Sequence, residues 1–326
     1  MKILVIFTGG TIGSTVTGDW IVTDENTKYT LLERFKTEDH ETEFVVRVPY
    51  TLLSEKLSAR ELNLLQAEIE QGLHGGYDGI IVTHGTDTLQ YTAAAVEYAF
   101  AGCEKPIVFV SSNYPLEDKR ANGHFNFAAA VAFIKEQIGG VFVSYRNDGE
   151  TATHIHLASR IFQYNESTSR LYSIDEMPYA VFGGNVFRFT EVEPAKTCNP
   201  LGVVSYIETS GILVIDSHPG DNYAYSLDGA KAVLIKPYHS ATLDTANPKL
   251  HDFCRRASKM SVPVFVSGVQ PGISYESTKH FCDLHIIPLP YSTWISAYMK
   301  LWAAISLGEE ITAFVEKNIA NEIAKA

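Results

Sequence analysis

Three loops in the sequence combine small residues, hydroxyls and one carboxylate, and each follows a short apolar run. They are residues 8–14 (TGGTIGS), 83–88 (THGTDT) and 111–115 (SSNYP). A threonine hydroxyl is a weak nucleophile near neutral pH and needs help from a neighbouring base or polarising group. The carboxylate of Asp87 can bind an ammonium group, and the N–H groups of a turn can hold an oxyanion. The loops therefore indicate a small-molecule site, in which Gly85 would let a substrate approach the backbone.

The elements that must position these loops alternate between strand and helix patterns, which indicates βαβ units and a parallel sheet. The predicted strands are residues 3–7, 80–82, 105–110 and 139–145. The predicted helices are one opened by Ser58 and two more at residues 89–100 and 121–138. In a parallel sheet, ligands bind beyond the carboxyl ends of the strands, where all three loops would lie.

The rest of the chain predicts a second domain. Short β-like pieces at residues 153–164 and 178–189 complete an N-terminal domain at 1–190, and a proline-containing polar stretch at 191–202 is interpreted as a linker. Residues 203–326 form a smaller α/β domain. Its predicted strands are 211–216, 231–236 and 262–268, and its predicted helices are 248–259, 292–307 and 309–325.

Composition limits the classes of partner. The chain has 326 residues with 38 acidic and 26 basic side chains, a net charge of −12, which argues against nucleic acid or an anionic membrane surface. The four cysteines have no zinc-type spacing. The first methionine leads directly into a predicted strand and no apolar stretch is long enough to span a membrane, so we expect a cytoplasmic protein.

Nucleotide binding is the first alternative for the glycine-rich turn. The glycines fall at Gly9, Gly10 and Gly13, which is not the dinucleotide spacing, and the following residues begin a helix poorly. The phosphate-binding pattern that ends in Gly-Lys-Ser/Thr is also missing. A purely structural turn remains an alternative, as does a simple helix-capping role for Thr86 and Asp87.

Taken together, TGGTIG and the later HGTDT resemble the bacterial-type L-asparaginase family of the cytoplasmic type I kind. The resemblance continues through residues 77–100, 105–126 and 231–238 and so covers most of the chain. It implies an N-terminal catalytic domain with a doubly wound, mostly parallel sheet, a smaller C-terminal domain, and sites completed across a homodimer or a dimer of dimers. It also implies no metal and no organic cofactor.

The resemblance implies a role for each matching residue. Thr11 is the nucleophile that attacks a side-chain amide, and Thr86 and Asp87 orient the attacking group and hold the substrate's α-amino group. Ser54 holds the α-carboxylate, and Ser112 lines the pocket. Gly10 and Gly85 complete the substrate-binding set. The implied reaction converts asparagine to aspartate and ammonia through an acyl-enzyme, with a small-molecule amide as the only partner besides a second copy of the chain.

Three departures from the family pattern concern the substrate. Gln163 stands where the family has a lysine that completes a triad with the Thr-Asp pair, and glutamine can only form hydrogen bonds. Glu55 adds a negative charge beside Ser54. In the second domain HSATLDT replaces the family's Gly-x-Gly-Asn, so His239, Ser240 or Thr242 would enter the neighbour's pocket. The family's active-site tyrosine has no clear match, with Trp20 and Tyr29 as the nearest candidates.

Two other functions stay open. His154 and His156 would share one face of a strand, and Asp216, His218 and Asp221 could bind a divalent ion, although solvated side chains are the commoner explanation and we predict no metal site. The chain could also be a ligand-binding or regulatory homologue that has lost turnover together with the lysine.

Overall fold

The computed structural model describes residues 1–18, 20–23, 31–33, 35, 41–163, 168–192, 194, 198–270, 272 and 275–324. The chain divides into two compact units. The first contains Met1–Val204 together with Ile319–Asn321, and the second contains Ser205–Asn318 and Glu322–Ala326. The predicted domain limits at 190 and 203 stay predictions.

The first unit contains an eight-stranded sheet and two small antiparallel hairpins. Its strands are β1 Lys2–Phe7, β2 Ser14–Thr17, β3 Trp20–Thr23, β4 Glu43–Arg47, β5 Gly79–Thr83, β6 Pro106–Val110, β7 Gly140–Tyr145, β8 Thr153–Leu157, β9 Ile161–Gln163, β10 Leu171–Ser173, β11 Ala180–Gly183 and β12 Val186–Phe189. The large sheet has the order β12-β11-β8-β7-β6-β5-β1-β4, and the hairpins are β2-β3 and β9-β10. The five strands from β7 to β4 are parallel, and β8, β11 and β12 extend the sheet in antiparallel fashion.

Helices cover both faces of this sheet. Helices α1 Ala59–Leu73 and α2 Leu89–Phe100 pack on the face that carries Leu4 and Ile6, and α3 Gly123–Lys135 packs on the face that carries Ile3 and Val5. Because both faces are covered, the central strands are apolar throughout, as expected for a buried parallel sheet. The predicted fold class, α/β with a doubly wound and mostly parallel sheet, is confirmed.

The chain reverses its direction of winding between β1 and β5. After β1 it adds β4 on one side, and then returns to add β5 on the other side of β1 before it continues to β6 and β7. A reversal of this kind leaves a crevice outside the carboxyl ends of the two strands, because their connections leave towards opposite faces. The loops after β1 and β5 are the two glycine- and threonine-rich loops of the sequence.

Local signals explain where α1 begins. Ser58 accepts a hydrogen bond from the Arg60 N–H, and the Glu61 carboxylate accepts one from the Ser58 N–H, which makes a reciprocal N-terminal cap.

The segment predicted as a linker lies on the first unit where it is described: the Leu201 and Gly202 N–H groups donate to the Tyr98 and Ala99 carbonyls at the end of α2.

The second unit contains a four-stranded parallel sheet. Its strands are β13 Ile212–Asp216, β14 Ala232–Lys236, β15 Val264–Val266 and β16 Ile286–Pro288, in sequence order, and its helices are α4 Pro248–Lys259, α5 Trp294–Leu307 and α6 Ile311–Glu316. In the part of the chain that the structure describes, no helix has the length and apolar character that crossing a bilayer requires.

The prediction of one helix over residues 309–325 was wrong, because α6 ends at Glu316. The buried Lys300 ammonium donates to the Lys317 carbonyl and forms an ion pair of 2.9 Å with the buried Glu322 carboxylate. These contacts favour an extended chain after α6 over another helical turn. Burial lowers the pKa of Lys300, and Glu322 opposes that shift.

Candidate functional site

The loop after β1 is held against Leu52 by backbone hydrogen bonds. The Gly10 N–H donates to the Leu52 carbonyl at 3.0 Å, and the Leu52 N–H donates to the Thr8 carbonyl at 3.2 Å. Gly9 has φ +102°, and a Cβ there would lie 2.3 Å from the Leu52 oxygen, so only glycine fits. Thr11 then opens a short 3₁₀ helix, Thr11–Gly13, and its side chain is half-buried.

The loop after β5 touches the first loop directly. A Cβ placed on Gly10, which has φ +75°, would lie 2.3 Å from both the nitrogen and the Cα of Gly85. The Thr8 hydroxyl also donates to the Thr83 carbonyl at 2.6 Å. Thr11 and Thr86 each follow one of the two touching glycines. The loops predicted from the sequence to share a site therefore meet at the crevice between β1 and β5.

Ser54 packs against the same contact from a third segment. Its side chain is buried, and a Cβ on Gly85 would come within 2.4 Å of the Ser54 hydroxyl oxygen. The Thr88 hydroxyl donates to the Ser54 carbonyl at 2.9 Å and so ties the two segments together. Glu55 follows on the 3₁₀ helix Ser54–Lys56 and is exposed, as is Asp87.

Gln163 reaches the second loop from the end of β9. Its side-chain amide donates to the Thr86 carbonyl at 3.1 Å. The residue in the position that the family resemblance gives to a lysine is thus next to Thr86, and it brings a hydrogen-bond donor without a charge. Hydrogen bonding to a carbonyl can orient the loop, but an amide side chain does not take up or release a proton near neutral pH.

Ser112 forms local hydrogen bonds at the end of β6. Its hydroxyl donates to the Tyr114 carbonyl at 2.6 Å and accepts from the Gly123 N–H at 3.2 Å, at the start of α3. These contacts hold the third loop against the beginning of α3. The structure thus places Ser112 after β6, next to β5 in the sheet, with its hydroxyl engaged by the backbone.

His84 lies beneath the second loop and was not singled out from the sequence. Burial lowers the pKa of its imidazole to about 4, although the contact with the Gly85 carbonyl acts in the opposite direction. The side chain is therefore neutral near pH 7, and its Nδ1, 2.8 Å from the Gly85 carbonyl oxygen, must carry the proton because that oxygen can only accept. His84 thus fixes the carbonyl of the glycine that touches Gly10. The sequence signal that could have identified His84 is its position in the HGTDT motif.

His239 lies in the second unit, in the loop after β14, and its side chain is exposed. It lines a pocket of about 310 Å³ together with Ser240, Ala241, Gly268 and Gln270. Of the aromatic candidates for a flap, Trp20 is 75% exposed in β3, and Tyr29 lies outside the described residues.

The residues considered from the sequence as possible metal ligands have structural partners. His156 is buried with its Nδ1 2.8 Å from the Ser173 hydroxyl, and His154 lies beside it with a ring-centre distance of 5.8 Å. In the second unit, both Asp221 carboxylate oxygens accept hydrogen bonds, from the Tyr223 N–H and the Tyr225 hydroxyl. Within the described ranges no three His, Cys, Asp or Glu side chains are grouped as metal ligands.

Comparison with known proteins decides the family. The family model described as "Asparaginase, N-terminal" matches residues 2–192, which is more than half of the chain. This chain belongs to the asparaginase family. The match covers the strands that carry both threonine loops, together with Ser54, Ser112 and Gln163.

Relatives with similar sequences are named as amidotransferase subunits and not as asparaginases. A glutamyl-tRNA(Gln) amidotransferase subunit from Methanobrevibacter smithii is 25% identical over an alignment 345 residues long, which covers 98% of this chain and 76% of that protein. The protein of the same name from Methanococcus maripaludis strain C5 is 27% identical over 153 residues, 46% of this chain. That alignment spans only 36% of the Methanococcus protein, so the chain covers about a third of its length.

Solved structures share the fold over the whole chain. The thermostable L-asparaginase from Thermococcus kodakarensis superposes with a TM-score of 0.81 and 20% identity, with all of both chains covered. L-asparaginase I from Vibrio cholerae gives a TM-score of 0.77 and 20% identity over 99% of both chains. At this level of identity the comparison establishes the asparaginase fold, which agrees with the sheet order described above.

Proposed function

We propose that this chain is an amidohydrolase that uses Thr11 to hydrolyse the side-chain amide of L-asparagine or a related small amide. The observation that carries the proposal is the contact of Gly10 with Gly85 at the winding reversal between β1 and β5. This contact joins two loops that are about seventy residues apart and lies where ligands bind in open α/β sheets. Membership of the asparaginase family supports the same chemistry.

The reaction needs one nucleophile and one water molecule. The Thr11 oxygen attacks the amide carbon, its proton passes to the leaving nitrogen, and ammonia departs from an acyl-enzyme. Water then attacks the ester, returns the proton to the Thr11 oxygen and releases the carboxylate. The N–H groups of the glycine turns are suited to hold the negative charge that develops on the amide oxygen.

The remaining residues bind and orient the substrate. We assign Asp87 to an ammonium group of the substrate and Ser54 to its carboxylate, with Thr86 orienting the attacking group. Gln163 holds Thr86 by its carbonyl in place of a charged lysine. Gly10, Gly85 and Ser112 would shape the pocket, while Glu55 would add negative charge at its edge. His239 would enter the pocket of a neighbouring copy, and we expect a homodimer or a dimer of dimers in the cytoplasm.

A second candidate is suggested by the names of the relatives. In an amidotransferase, the same site would release ammonia from an amide and a partner protein would use it on glutamyl-tRNA(Gln). The net charge of −12 disfavours direct contact of this chain with tRNA, so a separate protein would have to bind the nucleic acid.

Ammonia release from purified protein tests the proposal. The substrates are L-asparagine, L-glutamine and a panel of β- and γ-amides, and the test variant is Thr11→Ala. The matched control, close to the same loop, is Thr15→Ala. Among the contacts described, the Thr15 hydroxyl contacts only Glu117. Turnover that Thr11→Ala abolishes and Thr15→Ala retains supports the amidohydrolase. Aspartate binding without turnover of any amide supports the ligand-binding alternative, and amidase activity that chelators remove but Thr11→Ala leaves intact contradicts the nucleophile.

A further inference from the structure

We propose that Asn147 is a positioning residue that fixes Gln163, and through it the Thr86 carbonyl, at the candidate site. The inference rests on the proposed function, in which the loop after β5 binds the substrate. Asn147 lies two residues beyond the end of β7, on the large sheet, and its side chain is 2% exposed. It does not belong to any of the three loops that the sequence identified.

The hairpin that carries Gln163 is small. Strands β9 and β10 have three residues each and, among the strands that the structure describes, pair only with one another, with Gln163 opposite Leu171 and Ile161 opposite Ser173. An isolated two-stranded hairpin is at best marginally stable in water, so its position depends on what fastens it to the rest of the unit. Gln163 contacts the Thr86 carbonyl from the last position of β9, so a shift of the hairpin would alter that contact.

Asn147 forms two hydrogen bonds with Leu171, the residue opposite Gln163. The Leu171 N–H donates to its side-chain carbonyl oxygen at 2.8 Å, and its side-chain NH₂ donates to the Leu171 carbonyl at 3.1 Å. The amide thus satisfies both backbone groups of Leu171 at once and acts like a further strand residue. Through the register of the hairpin, this pair of bonds fixes where Gln163 lies relative to the Thr86 carbonyl.

The other hydrogen bonds that the structure describes in this region act at different points, while the Leu171 and Ile161 side chains are buried in the core. The Ser159 N–H donates to the buried Glu97 carboxylate at 2.5 Å, four residues before Gln163, and the Tyr145 hydroxyl donates to the Ser169 carbonyl at 2.7 Å. His156 contacts Ser173 at the far end of β10. Loss of the Asn147 contacts would leave the Ile161–Ser173 end of the hairpin attached and loosen the Gln163–Leu171 end, which is the pattern the test looks for.

The chain offers a matched control in Gln66. This side chain is fully buried on α1 and pairs in the same bidentate way with Val204, accepting from its N–H at 3.0 Å and donating to its carbonyl at 3.2 Å. Gln66 is in the first unit, but its partner is not in the hairpin. A loss of packing or general stability should therefore appear equally in Gln66→Ala and Asn147→Ala, whereas a positioning effect should appear in the second alone.

Hydrogen exchange tests the placement without any need for turnover. We expect Asn147→Ala, or the milder Asn147→Ser if the first variant folds poorly, to speed amide exchange at least about tenfold in peptides that cover residues 161–163, 171–173 and 84–90. Gln66→Ala should leave all three peptides unchanged. Faster exchange at 171–173 with no change at 84–90 would overturn the inference, and so would equal effects in the two variants.

Kinetics then test whether the effect runs through Gln163. With the amide that the wild-type protein hydrolyses best, Asn147→Ala should lower kcat about ten- to a hundredfold, because small misplacements of positioning groups have effects of that size. In a Gln163→Ala background the same change should have no further effect on kcat. Equal losses in both backgrounds would contradict the inference. A wild-type protein that releases no ammonia would remove the proposed function, while the exchange experiment would still decide the role of Asn147.

Discussion

Gly10 and Gly85 are in backbone contact although 75 residues separate them along the chain, and a Cβ on Gly10 would lie 2.3 Å from the Gly85 nitrogen. Neither partner can yield easily, since the atoms that would collide belong to the backbone. The contact therefore holds the loop that contains Thr11 against the loop that contains Thr86 and Asp87.

Replacing the first of these glycines should damage both stability and activity. Gly10→Ala introduces the collision and also strains a residue at φ +75°, and we expect a loss of at least about 2 kcal/mol in the free energy of unfolding. Chemical denaturation measures this. The control is Gly13→Ala in the same loop, where a Cβ would meet no described atom within 4 Å apart from its immediate chain neighbours. Equal losses in the two variants would show that the Gly10–Gly85 contact is not the cause.

Removing the candidate nucleophile should separate activity from stability. Thr11→Ala deletes the attacking oxygen, and we expect the rate of ammonia release to fall by at least about a thousandfold, as it does when other nucleophiles are removed. Thr11 is half-buried, so the thermal midpoint of unfolding should change little. Substrate concentration should be varied, because a change in KM alone would indicate a binding role and would contradict the acyl-enzyme mechanism.

Introducing a lysine at position 163 should change the chemistry near Thr86. Gln163→Lys places an amine beside the loop and adds a group that can accept or deliver a proton, which typically contributes about a hundredfold or more to rates. We expect kcat to rise and its pH profile to gain a limb, with little loss of stability because the side chain is half-buried. Gln163→Met, which has similar length and no proton to exchange, is the control. An unchanged rate and an unchanged pH profile would mean that position 163 does not take part.

Two buried histidines should make the protein less stable in mild acid. Burial lowers the pKa of His84 to about 4, and burial together with the neighbouring His154 lowers the pKa of His156 to about 3, from an ordinary value of 6.5. Between the folded-state pKa of each histidine and its ordinary value of 6.5, the unfolded chain binds a proton that the folded chain does not. The free energy of unfolding therefore falls as the pH falls below 6.5. Each histidine contributes up to about 1.4 kcal/mol per pH unit.

Urea denaturation between about pH 6.5 and pH 5 measures this slope before most carboxylates titrate. His156→Gln keeps a hydrogen-bonding side chain near Ser173 and removes one titrating group, so it should reduce the slope, to which His84 and His154, whose pKa values burial also lowers, still contribute. A slope that His156→Gln does not alter would mean that His156 is already protonated, or accessible, in the folded protein.

The sequence predicted the central fold well, because a buried parallel sheet requires continuous apolar strands between amphipathic helices. The strands at 80–82 and 105–110 correspond to β5 and β6, and the helix at 89–100 is observed with the same limits. The pattern did not reveal that β8, β11 and β12 join this sheet as antiparallel strands, since pairing partners far apart in the chain leave no local signal. The last helix was overestimated because its end depends on the Lys300 side chain.

The sequence by itself determined the residue types at the candidate site and the family to which they belong, since TGGTIG and HGTDT are short, local patterns. Only the tertiary structure decided that Gly10 and Gly85 touch, that Ser54 packs against Gly85, and that Gln163 contacts Thr86 while Asn147 forms hydrogen bonds with Leu171 in the same hairpin. The physical reason is that these contacts depend on strand order and register, which are set by burial over the whole sheet and not by the residues at the contact.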